Sequence, residues 1–248
     1  MRLLTILALL VILISCKEKE SPLTAQSIVD QSIAVSCQGN CEHAIIDFIF
    51  RGKAYKSIRD GGAYSMERLA NDSLGRVRDV ISNNGFQRFM NDTLVQVADS
   101  MVTKYSNSVN SVHYFAQLPF GLNAPAVKKE LLGETTIKGE PYFEIGVSFN
   151  QEGGGTDFED RFVYWIHKKE YTVDYLAYSY DTDDKGIRFR EAFNPRVVNG
   201  IRFVDYNNYK TDDLSTPLTD LDTLFEAGSL KLLSKIETEN VNVNVFVQ

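Results

Sequence analysis

Cysteine carries the most nucleophilic side chain in this sequence, and it occurs three times. Cys16 ends the run Leu13-Ile14-Ser15-Cys16, which has the form of a bacterial lipobox. In that motif a small residue precedes a cysteine whose thiolate takes a diacylglyceryl group and then becomes the first residue of the processed chain. Several buried acyl chains hold a protein on a bilayer where one chain does not. Cys37 and Cys41 stand four apart around Gly39-Asn40. In an oxidising, exported compartment this pair is expected to close a small disulfide loop, with free thiols as the alternative. With His43 they make only an incomplete zinc site, and the C-x3-C spacing without a βαβ pattern argues against thioredoxin-like redox chemistry.

Other reactive groups are scattered. His43, His113 and His167 lie far apart with no metal-ligand spacing, and surface positions are expected for all three. No serine sits in a GxSxG elbow. Carboxylates are plentiful, and a glycan or ester hydrolase would need two of them across a cleft, about 5 to 10 Å apart. Asp157, Asp160, Asp174 and Asp205 are the candidates for that role. The segment from Asp181 to Gly186 imitates the start of an EF-hand loop, but Lys185 occupies a ligand position and Ala192 stands where a bidentate glutamate belongs. Gly153-Gly154-Gly155, flanked by Glu152, Asp157, Glu159 and Asp160, lacks the Lys-Ser/Thr and helix start of a phosphate cradle. It reads as a solvated loop, so neither a metal site nor a cofactor is expected.

The remaining signal is aromatic: 12 Tyr, 15 Phe and one Trp. Phe143, Phe149, Val163, Trp165 and Phe203 are candidates to face inward and line a pocket for an acyl chain or another apolar ligand. The alternative is that they fill the core of a sheet, which needs such residues in any case.

The elements that must position these groups begin after residue 15. Arg2 and the apolar run to Ile14 have the layout of a secretory signal, too short to cross a bilayer comfortably. Residues 16–23 read as the lipidated cysteine and a polar tether, and 24–248 as one domain. Removing Arg2 leaves 25 Lys+Arg against 33 Asp+Glu, a net charge near −8, which excludes a basic nucleic-acid surface. Thr24 to Val35 has helical spacing with Thr24 as N-cap, and a second helix is expected from about Asp92-Thr93 through Tyr105. Leu118-Pro119-Phe120-Gly121 marks a break, a short lid or loop. Elsewhere short alternating runs are separated by turn residues, including Asn199-Gly200, so consecutive antiparallel hairpins are expected. Phe143, Ile145, Val147 and Phe149 share one parity, as one buried sheet face requires. Some ten strands with two or three helices give an α+β fold: a large curved antiparallel sheet, an incomplete β-barrel, wrapped over the helices.

Four stretches together resemble a known family: Phe48 to Tyr55 (FIFRGKAY), Phe158 to Trp165 (FEDRFVYW), Arg188 to Asn194 (RFREAFN) and Asn199 to Tyr206 (NGIRFVDY). They are similar to an uncharacterised family of Bacteroidetes lipoproteins, some of whose members carry a deoxyribose-phosphate aldolase label. The similarity covers about residues 25 to 247 and implies a fold like the periplasmic lipoprotein carriers, an incomplete barrel closed by helices around an apolar cavity. Aldolase chemistry of that kind needs an eightfold strand-helix barrel with a Schiff-base lysine, and neither pattern occurs.

The reading is therefore a lipid-anchored protein of the bacterial envelope, at the outer membrane on its periplasmic or surface face. Its expected partners are the membrane, through Cys16, and a hydrophobic small molecule or lipid. An envelope hydrolase and a non-enzymatic interaction module, docking a partner by strand addition, are the alternatives.

Overall fold

The computed structural model describes residues 23–73, 75–153, 155, 158–181 and 185–246. The leader, Cys16, nearly all of the tether and Asp157 lie outside the described residues. Among the described residues no helix is long and apolar enough to cross a membrane.

Helix α1 (Ala25–Cys37) starts where Thr24 accepts from the Ser27 amide while Ser27 caps the Thr24 amide in return, a reciprocal capping box. It ends as Gln38 turns left-handed. Six strands follow as a meander: β1 (His43–Phe50), β2 (Lys53–Asp60), β3 (Ala63–Asp72), β4 (Gly75–Ser82), β5 (Gly85–Met90) and β6 (Thr93–Val95). The expected helix start near Asp92 is thus a hairpin. Asn91 and Asp92 both have positive φ, the requirement of a tight turn between twisted strands, and α2 (Asp99–Ala116) begins only afterwards. After a cis Leu118–Pro119 peptide and a single 3-10 turn over Phe120–Asn123, strands resume. They are β7 (Val127–Ile137), β8 (Glu140–Phe149), β9 (Arg161–His167), β10 (Val173–Tyr180), β11 (Gly186–Val198) and β12 (Ile201–Lys210). A 3-10 turn (Leu218–Asp220) leads into α3 (Leu221–Glu226), then β13 (Lys231–Ile236) and β14 (Glu239–Val245) close the fold.

All pairings are antiparallel, so the fold is α+β and open. The strand ribbon is interrupted once. Sheet A runs β14-β1-β2-β3-β4-β5-β6 and sheet B runs β13-β12-β11-β10-β9-β8-β7; the chain crosses to sheet B through α2 between β6 and β7 and steps back between β13 and β14. Asp205 fixes that step. Its buried carboxylate accepts from the Thr238 amide at 3.0 Å, from Arg196 at 3.1 Å and from Asn194 at 2.7 Å.

The period of two in β8 and β9 gives sheet B two buried faces. Phe143, Ile145, Val147, Phe162, Tyr164 and Ile166 pack inward with α1 and the 118–122 segment. Trp165, Val163, Tyr175 and Phe189 point outward and are covered by Leu221, Leu224 and Phe225 of α3. On sheet A the inner face is partly ionic. Asp79, 1% exposed, accepts from Arg68 at 2.6 Å and from the Arg88 Nε at 2.6 Å, while Arg88 stacks 3.5 Å over Tyr105 of α2.

Cys37 and Cys41 are joined, with Cα atoms 5.3 Å apart. The loop between them docks on the β11–β12 hairpin, where the Asn40 amide donates to the Asn199 carbonyl at 3.2 Å and lies where a Cβ on Gly200 would stand. Closing a loop this short removes on the order of 2 kcal/mol of unfolded-state entropy. Cys37→Ser combined with Cys41→Ser, or treatment with reductant, is expected to lower stability by about that amount in chemical denaturation, and an unchanged midpoint would refute the bond's contribution.

Candidate ligand-binding cleft

Helix α2 lies between the two sheets, and its spacing decides what it offers to each. Asn110, His113, Tyr114 and Gln117 follow at intervals of three, one and three, so they share one side of the helix and its C-terminal end. Across from them the β2–β3 hairpin, turning at Gly61-Gly62, brings Arg59, Ala63, Tyr64 and Met66. The third wall is the segment from Phe120 to Val127, together with Phe149 from the end of β8. Between these walls is a half-open cleft of about 620 Å³.

Its floor is polar but satisfied. The His113 ring is wholly buried, and its Nε2–H donates to the Glu67 carbonyl at 3.0 Å, which leaves Nδ1 as an acceptor facing the Gln117 amide 3.4 Å away. Gln117 also donates to Ser57 at 3.0 Å, and its oxygen accepts from Arg59. The Arg59 guanidinium lies 4.5 Å over the Phe120 ring and forms no ion pair among the described residues. Burial pulls His113 from its usual 6.5 down to about 4, so it is neutral at physiological pH and serves as a hydrogen-bonding strut. Higher up, the Tyr114 and Tyr164 hydroxyls meet at 2.6 Å, and burial raises both above the ordinary phenol range.

The five expected pocket residues are not brought together. Phe149 lines the cleft, with Phe143 further along the same face of β8. Val163 and Trp165 belong to the opposite face of sheet B, because β9 places odd and even residues on opposite sides and its Phe162, Tyr164 and Ile166 are the ones paired with the inward set. Phe203 joins a third cluster beside Cys37, Cys41 and Ile46. Surface placement of the histidines is corrected for two of them. His113 is fully buried because α2 runs to Ala116, and His167 is 8% exposed, its Nδ1 accepting from the amides of Lys169 and Glu170. His43 stays half-exposed beside Asp60 at 3.0 Å.

Of the carboxylates considered for hydrolysis, the three among the described residues are committed elsewhere. Asp174 pairs with Arg202 and Asp205 with Arg196, each at 3.1 Å, and Asp160 also has an interaction partner. In the loop that imitates an EF-hand, Lys185 lies 3.0 Å from Asp181, a cation of the chain's own. Among the described residues no three His, Cys, Asp or Glu side chains gather as a metal would require. The most perturbed carboxyl is Glu144, under α3 on the outer face of sheet B. Burial, then Asp222 and Asp220, push it up to about 7.

Sequence reasoning missed Arg59, His113 and Gln117. The His113-x3-Gln117 interval was visible as a possible same-face pair, but its meaning depends on where the helix ends and on a strand some 50 residues upstream.

Residues 4–238 match the model of a family of unknown function, DUF6503, and the chain belongs to that family. No curated protein matches it by sequence. Among solved structures it is similar to the LolA superfamily protein NE2245 from Nitrosomonas europaea, at 11% identity and a TM-score of 0.47, covering 90% of this chain and 92% of that one. A DUF1329 family protein from Desulfovibrio piger aligns at 13% identity and a TM-score of 0.43, covering 84% of this chain and 99% of the other.

The His113 strut has a measurable consequence. The unfolded chain takes up the proton near 6.5 and the folded one only near 4, so acid favours unfolding across that window, by about 3 kcal/mol in all. His113→Gln keeps a donor for the Glu67 carbonyl and removes the titration. Between pH 6.5 and 4 the wild type is expected to lose more thermal stability than the variant; parallel losses would show that His113 is not the source.

Proposed function

We propose that this member of the DUF6503 family is a lipid-anchored protein of the bacterial cell envelope that holds a hydrophobic ligand, an acyl chain or a lipid, in the cleft between α2, the β2–β3 hairpin and the 120–127 segment. The observation that carries this reading is the cleft's construction. Its walls carry Met66, Phe120, Pro125, Val127 and Phe149 with the rings of Tyr64 and Tyr114, its polar lining comes from Glu42, Asn110 and Asn123 besides the satisfied floor, and its size of about 620 Å³ suits a small ligand. Between α2 and sheet B, a cavity of about 20 Å³ lies beside Phe115 and Tyr206 among the described residues. The ligand is therefore placed in the half-open cleft, the larger of these two spaces.

Anchoring rests on the lipobox at Cys16, and the resemblance to Bacteroidetes lipoproteins supports an outer-membrane location, periplasmic or surface. A membrane-tethered cleft samples lipid at high effective concentration, since the tether keeps both within reach of each other. Envelope hydrolysis is the weaker reading, because Asp174 and Asp205 already have arginine partners.

Two experiments test the two halves. Metabolic labelling with palmitate is expected to mark the wild-type chain and to leave Cys16→Ser unmarked; an unlabelled wild type refutes the anchor. Ala124→Trp fills the cleft from an exposed position without touching its floor. Overfilling on this scale costs about 1–3 kcal/mol, so a fluorescent fatty acid is expected to bind roughly tenfold or more weakly. Equal binding by the variant would remove the cleft from consideration.

A further inference from the structure

Four of the arginines shielded in this molecule have a carboxylate: Arg68 and Arg88 share Asp79, Arg196 has Asp205 and Arg202 has Asp174. Arg190, in the middle of β11, is 7% exposed and has none among the described residues. Its one hydrogen bond runs from Nη2 to the Tyr178 hydroxyl at 2.8 Å. Nε and Nη1 are buried and without an acceptor, and the buried Oδ1 of Asn208, its register partner on β12, is without a donor. Aromatic rings close over the group: Phe115 of α2 lies 3.7 Å from the guanidinium carbon, Tyr178 5.1 Å and Tyr206 5.8 Å. Two residues along the same strand face, Arg188 also lacks an ion pair among the described residues and is held by the Tyr180 hydroxyl at 2.5 Å.

A buried guanidinium with no counter-charge costs several kcal/mol, and stacking on rings offsets only part of that. Methionine would fill the same space without the cost. Nη2 keeps a second hydrogen, and together with Nε or with Nη1 it forms an edge of the planar fork that matches a carboxylate or phosphate with two parallel hydrogen bonds. Packed rings lie between this group and the cleft: Phe149 in the cleft wall meets Phe162 edge-on at 5.8 Å, and Phe162 stacks on Tyr178 at 5.3 Å.

We propose that Arg190 is an oxyanion-recognition site, which reads the carboxylate or phosphate head of an amphiphile whose apolar chain occupies the cleft. This rests on the cleft reading given above. In the unliganded structure Phe115 stands over the guanidinium, next to the cavity of about 20 Å³ that it shares with Tyr206. The head group takes the place of that ring, and α2 carries Phe115 aside.

The test compares oleate, oleyl alcohol and inorganic phosphate by calorimetry on the intact protein and on Arg190→Met and Arg190→Lys. Oleate is expected to bind the wild type more tightly than oleyl alcohol, and Arg190→Met to abolish that preference, a loss of roughly thirtyfold for oleate alone, with Arg190→Lys keeping part of it. Without ligand, Arg190→Met is expected to melt no lower than the wild type, since it removes an unpaired buried charge. Phosphate binding that depends on Arg190 while neither oleyl compound binds would assign the oxyanion site to free phosphate and overturn the amphiphile. Equal affinities for oleate and oleyl alcohol in the wild type would overturn the site and leave the cleft standing. Failure of all three probes would overturn both. A lower melting point for Arg190→Met with the oleate preference intact would make the arginine purely structural.

Discussion

The seating of one helix governs the molecule. α2 meets sheet A through hydrogen bonds as well as apolar and ring contacts, with Tyr105 stacked on Phe86 at 6.2 Å and Val112 and Ala116 packed beside Phe48, and it meets sheet B mainly through rings. Toward sheet A, His113 and Gln117 reach the Glu67 carbonyl and Ser57, while further up Arg88 stacks on Tyr105 from its place beside Asp79. Toward sheet B, Tyr114 and Phe115 pack on Phe162, Tyr178 and the Tyr164 hydroxyl. Directional hydrogen bonds set the helix's rotation and register, and the non-directional aromatic side sets how closely the sheets approach. The cleft is what is left at the C-terminal end of that helix, where the two sheets diverge and the cis-proline segment bridges them.

Much of the fold was legible because local rules and global packing agree along most of the chain. Thr24 caps α1, Asn199-Gly200 turns a hairpin, and the parity of Phe143 to Phe149 faces the core as the pleat demands. The α2 start was misread because Leu94, Val97, Met101 and Tyr105 happen to fall at helical intervals, whereas the local turn chemistry at Asn91-Asp92 wins and makes β6. The site was less legible for a different reason. A period of two says that Trp165 and Phe143 each face a core, but not that sheet B has two. The second cover comes from α3, which begins 56 positions after Trp165 at Leu221, with Leu218 and Leu230 on either side of it.

Charge is placed in two ways. Sheet A buries Asp79 between Arg68 and Arg88, while its Arg59 is held by the Gln117 oxygen and the Phe120 ring. Sheet B buries tyrosines whose hydroxyls desolvation pushes up in pKa, and Arg190 stands among them without a carboxylate among the described residues. Both halves of the interior thus set guanidinium charge against aromatic surface.

An open ribbon of strands leaves unpaired backbone at its borders, and how those borders are finished decides whether copies of the protein fuse. β6 is only three residues long. β7 breaks its register between Leu131 and Gly133 and carries Lys128, Lys129 and Glu130, while β13 carries Lys231 and Lys235. Short, bulged and lysine-bearing margins are poor templates for a neighbouring strand. Two copies pressed side by side therefore find no clean strand to pair with at β6, β7 or β13.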